Sequence, residues 1–196
     1  MKQKFGSLIK TLSRELDPFK GLITLALVLL FSHILWHLLF EGDVNSDKLA
    51  LLGYDITDSV KLFSQWQADV LAKILDWANI KVEQYDRVLL FEHGRALRII
   101  WGCRAIKQSF SLFFVILFCA MRPLAKLTYM PIALVSLILF NFFRLYVISY
   151  FYNIDPNTFH FWHEFFRFAI YGFVGIIWVV GVELYDNLFK KSDRKQ

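Results

Sequence analysis

This 196-residue chain has no stretch rich in proline, glycine or serine, no low-complexity tract and no internal repeat. Nothing divides it, so 1–196 reads as a single domain. A P-loop, a GxGxxG and any cluster of cysteine and histidine at metal-ligand spacing are also missing, so no motif implies a nucleotide or metal and no cofactor is expected. Cysteine is scarce: there are two, Cys103 and Cys119. If the stretch between them is helical, a rise of 1.5 Å per residue sets the thiols about 24 Å apart, which excludes a disulfide joining them. The first apolar run lacks an A-x-A-like cleavage site and is longer than the 7–15 residues typical of a secretory signal, so it reads as a retained anchor.

What the chain has in excess is apolar surface. Hydrophobic residues make up 57% of it and 21 are phenylalanine, above the roughly 45–50% apolar share of soluble domains. The expected fold is an all-α integral membrane protein with about four transmembrane helices, each needing about 20 apolar residues. They are placed at 21–40, 105–121, 127–151 and 163–185, with a polar segment at 41–103. The net charge of +5 is concentrated near the ends of spans, which argues for a membrane protein with no nucleic-acid partner.

The positive charges orient the spans. Lys2, Lys4, Lys10, Arg14 and Lys20 precede the first, Arg122 and Lys126 flank the turn between the second and third, and Lys190, Lys191, Arg194 and Lys195 follow the fourth. Residues 41–102 hold ten acidic and seven basic residues, and 152–162 contain Asp155 and no Lys or Arg. This pattern predicts a multi-pass protein of the cytoplasmic membrane with both termini in the cytoplasm and 41–103 on the outer face.

Within that outer segment, Phe63, Trp66, Val70, Ile74 and Trp77 recur at helical spacing while Asp69, Lys73 and Asp76 share another face, which predicts an amphipathic helix lying on the membrane surface. Asp69 and Lys73 are also spaced as an acid-before-base pair. The sequence "YDRVLLFEHGRALRIIWGC" places two short β-type runs around His93-Gly94, a β-hairpin leading into Cys103. His93 reads as a solvated turn residue.

Three residues on different spans fall at the same outer level. Cys103 stands at the predicted start of the second span, where free amide groups and the helix dipole favour a thiolate, and Lys107 lies one turn further on the same face. A small residue at a strand-to-helix junction, with Lys107 reaching to the interface, is the structural alternative. Arg144 lies inside the third span, where a charge needs a partner or a polar cavity, and Asn141 one turn earlier can orient it. His163 opens the fourth span, with His160 three residues before it. Cys119, near the opposite end of its span, reads as packing. A thiol, a guanidinium and an imidazole at one level supply a nucleophile, an anion stabiliser and a base.

The hairpin running into Cys103, the "NFFR" ending in Arg144, and His163 followed by Tyr171 and Gly172 resemble the exosortase/archaeosortase membrane cysteine transpeptidases, particularly their short single-domain members, over roughly residues 84–172. The resemblance implies that Cys103, Arg144 and His163 are catalytic. It also implies substrates that are exported proteins with a C-terminal tripartite sorting tag made of a short motif, a transmembrane helix and a basic end. The acceptor would be water or a lipid or glycan group. Arg104 departs from the small or polar residue that the resemblance implies after the cysteine. Two further readings come from the residues themselves. His33 and His37, four apart on the first span, could join His160 or His163 in binding haem or a metal in a redox protein, and a non-catalytic assembly subunit would use Arg144 in a structural pair.

Overall fold

The computed structural model describes residues 20–43, 48–100 and 105–185. Among the described residues, three helices are long and apolar enough to cross a membrane. These are α1 (Lys20–Leu39), α4 (Pro123–Ile154) and the last helical stretch, which comprises a short 3-10 turn at Pro156–Thr158, α5 (Phe159–Val179) and a π-helical turn at Val180–Tyr185. The expected second span is shorter than predicted. Helix α3 covers Ile106–Phe118, 13 residues, or about 20 Å at 1.5 Å per residue. It stops because Cys119 is extended and Pro123 opens the next helix at its first turn behind an extended Arg122, the backbone that a residue before proline prefers.

The segment between α1 and α3 holds more strand than the sequence predicts. One antiparallel sheet joins β1 (Phe40–Asp43), β2 (Lys48–Leu51) and β3 (Tyr54–Asp55). Helix α2 (Thr57–Trp77) follows, and then a second antiparallel sheet of β4 (Val82–Tyr85), β5 (Val88–Phe91) and β6 (Ala96–Arg98). The β5–β6 turn closes with the amide of Gly94 donating to the carbonyl of Phe91 at 2.9 Å. Gly94 has φ +72°, a conformation that costs glycine little.

Two packed regions result. In the helical bundle, α4 buries Ala125, Tyr129, Ala133, Leu137 and Asn141 at every fourth position, and this stripe meets Ile170, Val174 and Ile177 of α5 and Leu112, Val115 and Ile116 of α3. The approach is close at Gly181, where a Cβ would sit 2.6 Å from the Tyr129 ring. The Tyr129 hydroxyl donates to the carbonyl of Ile177 at 2.7 Å. Helix α1 buries little besides Ser32 and Trp36, and the Ser32 hydroxyl donates to that of Ser111 on α3 at 3.0 Å, the kind of polar link that ties helices together in lipid.

In the second region, Ala68, Leu71 and Leu75 of α2 pack with Leu89, Phe91 and Ile99 and against Leu145 of α4. The predicted aromatic stripe of α2 is its outward face, with Trp66 and Trp77 exposed. The face turned into the protein carries Val60, Ser64, Gln67, Ala68, Leu71 and Leu75. Asp69 accepts a hydrogen bond from the amide of Gln84 on β4.

Candidate functional site

Helices α4 and α5 run antiparallel, in a register fixed by ring contacts between Phe151 and Trp162, Phe143 and Phe166, and Phe140 and Phe173. That register sets Arg144 of α4 opposite the first turns of α5. Arg144 is 3% exposed. Helix α4 continues to Ile154, so Arg144 lies ten residues, or about 15 Å, from its end.

His163 stands on the α5 face that carries Phe166 and Ile170 further along, and its side chain is 35% exposed. Across the helix pair, the register puts Arg144 near the turn of α5 that bears His163. The His163 ring stacks on Phe159, with centroids 5.6 Å apart, and its Nδ1 is 3.8 Å from a carboxylate oxygen of Glu164. Glu164 is itself held by Arg167 at 2.5 Å. His160 is exposed. The structure therefore sets His163, half-buried, at about the level of Arg144 and turns His160 outward.

Cys103 and Arg104 lie outside the described residues. Their flanks are firmly placed on either side. Ile99 is buried in the α2 cluster, and its amide donates to the carbonyl of Arg87 at 2.9 Å. Ala105 is 1% exposed and belongs to the bundle cluster. Ala105 also has φ 56° and ψ 18°, a left-handed conformation unusual for a residue with a Cβ and one that stores strain of order 1–3 kcal/mol. The described helix begins at Ile106, so Cys103 precedes its first residue by three positions.

Lys107 is engaged by α1, its Nζ 3.4 Å from Nε2 of His37, and the rings of His33 and His37 touch with centroids 4.8 Å apart. Among the described residues, no group of three or more His, Cys, Asp or Glu side chains is placed to hold a metal ion. Cys119 is buried at the end of α3, its thiol donating to the carbonyl of Ile116 at 2.9 Å.

Asn141 is fully buried, yet neither its carbonyl oxygen nor its amide nitrogen has a hydrogen-bond partner. The guanidinium that it was expected to orient is not bonded to it. Gln67 on α2 is in the same condition, fully buried with both carboxamide atoms unmet, and so is the hydroxyl of Ser149. Each buried polar group left this way costs about 1–3 kcal/mol, so each calls for an explanation beyond packing. The sequence reading passed over Gln67 and Glu164. Gln67 is, with Ser64, a polar member of the stripe Val60, Ser64, Gln67, Ala68, Leu71, Leu75, a signal present in the sequence but overshadowed by the aromatic stripe beside it.

Residues 21–180 match the family model described as Transmembrane exosortase (Exosortase_EpsH). No curated protein and no solved structure matches the chain.

Proposed function

Since this chain belongs to the transmembrane exosortase family, we propose that it is a membrane-embedded cysteine transpeptidase or protease that cuts C-terminal sorting tags from exported proteins at the outer face of the cytoplasmic membrane. The observation that carries this reading is a buried Arg144 on α4 at the level of a half-buried His163 on α5. A cationic donor and a proton carrier stand at one level where α4 meets α5, and Ala105, two residues beyond Cys103 in the chain, packs into the same bundle.

In this reading α3 supplies a fourth crossing together with the residues around it, both termini are cytoplasmic, and the two sheets and α2 form the outer layer. The tag's own apolar helix lies in lipid beside α4 and α5. The Cys103 thiolate attacks the scissile carbonyl carbon, and the carbonyl π electrons move to oxygen. Arg144 stabilises that oxyanion. As the tetrahedral species collapses, the C–N bond breaks, and protonated His163 gives its proton to the departing amine, leaving a thioester on Cys103. Neutral His163 then takes a proton from the acceptor, which attacks the thioester and releases the thiolate. Water as acceptor gives hydrolysis. An amine or hydroxyl on a lipid or glycan gives transfer.

Hydroxylamine tests this directly, because it captures thioesters. With a tagged protein co-expressed, the processed product is expected to end in a hydroxamate when hydroxylamine is added, by mass spectrometry of its new C-terminus. Processing that continues in Cys103→Ala overturns the reading.

A further inference from the structure

We propose that Gln67 and Asn141 bind the main chain of the tag next to the scissile bond, which makes Gln67 a substrate-binding residue contributed by the outer helix α2. This rests on the sorting reading above. The placement comes from the packing of α2 on α4. Trp66 meets Phe142, with ring centroids 5.4 Å apart, and Ala68 and Leu71 share a cluster with Leu145. Gln67 lies between those contacts on the buried face of α2, and they are made to the stretch of α4, Phe142 to Leu145, next to Asn141 and including Arg144.

The chemistry follows from what a carboxamide offers. It has one accepting oxygen and two donating N–H groups, the complement of a peptide group's N–H and C=O. A tag segment that leaves water to reach a buried guanidinium takes its own peptide groups out of water as well, and those groups need partners there. Two carboxamides with all four polar atoms unmet in the substrate-free protein are the partners at hand. Residues that served only the fold would have satisfied each other or a nearby carbonyl, as Ser64 does with Val60 and Thr57 with Leu49. Contacts to the main chain fix how far the tag enters rather than which side chains it carries, so this pair sets the position of the scissile carbonyl over Cys103.

The test uses the full-length protein in membranes. The probe is an exported protein ending in a short polar motif, an apolar helix and a basic tail, with a photo-crosslinking residue just before the apolar helix. Gln67→Met keeps the side chain's length and removes its hydrogen bonding. It is expected to melt in detergent at or above the wild-type temperature, because an unmet polar group is gone. Its crosslinking to the probe should fall about tenfold and its KM rise by about the same factor, as for the loss of one or two hydrogen bonds, with kcat little changed. Asn141→Leu should behave alike. A lower melting temperature in both variants, or undiminished crosslinking in either, overturns the inference. Cys103→Ala is run beside them and should crosslink as the wild type does without cleaving. Cleavage by that variant would overturn the sorting mechanism, while the comparison of Gln67→Met with wild type would still decide the role of Gln67.

Discussion

Arg95, in the β5–β6 turn, donates through Nη1 to the main-chain carbonyl of Asn153 at 2.7 Å, and the same nitrogen reaches the carbonyl of Tyr152 at 3.3 Å. Both carbonyls belong to the last turn of α4, where a helix has no partners of its own to offer. The Tyr152 hydroxyl returns the contact by donating to Ala96. The second sheet is thus clasped to the end of the helix that carries Arg144, and β6 leads from that clasp toward Cys103. Charged hydrogen bonds of this kind are worth about 1.5–3 kcal/mol. Arg95→Met should insert normally yet lose about tenfold or more in processing, and amide exchange across residues 82–98 should quicken. Unchanged exchange would show that the clasp does not hold the sheet.

The orientation of the helices is tested by labelling. Asn45→Cys and Asn157→Cys should react with a membrane-impermeant thiol reagent applied from outside the cell, whereas Ser192→Cys should react only after the membrane is opened. The reversed pattern would put Cys103 in the cytoplasm, away from any exported substrate.

The two cysteines are expected to separate cleanly. Cys103→Ala should accumulate in the membrane and leave the tagged protein uncut. Cys119→Ala removes a thiol packed at the end of α3 and should keep most of the activity, with a loss of stability of about 1 kcal/mol. An inactive Cys119→Ala beside an active Cys103→Ala would reassign the nucleophile.

Arg144→Lys keeps the charge and discards the planar fork of donors. An oriented contact to an oxyanion does not survive that change, so processing should drop by about 10²–10³ while the protein still reaches the membrane in normal amount. His163→Ala should be similarly poor and His160→Ala close to wild type, since His163 is half-buried on α5 and His160 is exposed. Pulse-labelled processing assays read both. Loss of the Arg144→Lys protein itself would mark the arginine as a folding residue.

The helices were legible in the sequence because an apolar run states its own length. The first was placed at 21–40 and is Lys20–Leu39. The third extends past its predicted limits of 127–151 to Pro123–Ile154, because Pro123 can open a helix and helical hydrogen bonding does not stop where an apolar run does. The sheets were harder to see. "VEQY" has too little apolar alternation to announce a strand, and "FEGD" and "KLAL" pair with each other although no apolar pattern marks either as a strand. For the candidate site, the level of Arg144 and His163 follows from span geometry, which sequence gives. The unmet state of Asn141 and Gln67 does not, because it depends on which side chains fail to meet across two packed helices.

Helix α4 has 32 residues and is about 48 Å long, against a hydrocarbon layer of about 30 Å. It serves as a mast: its lower part is gripped by the bundle, while its upper end is clasped by Arg95. In the proposed reading, a change of lipid thickness is taken up partly by tilt of this mast, which shifts the depth of Arg144. The protein would then serve as a gauge of the bilayer around it. In vesicles of increasing acyl-chain length, its processing rate should pass through a maximum, and that maximum should move when apolar residues are added to or removed from the ends of α4.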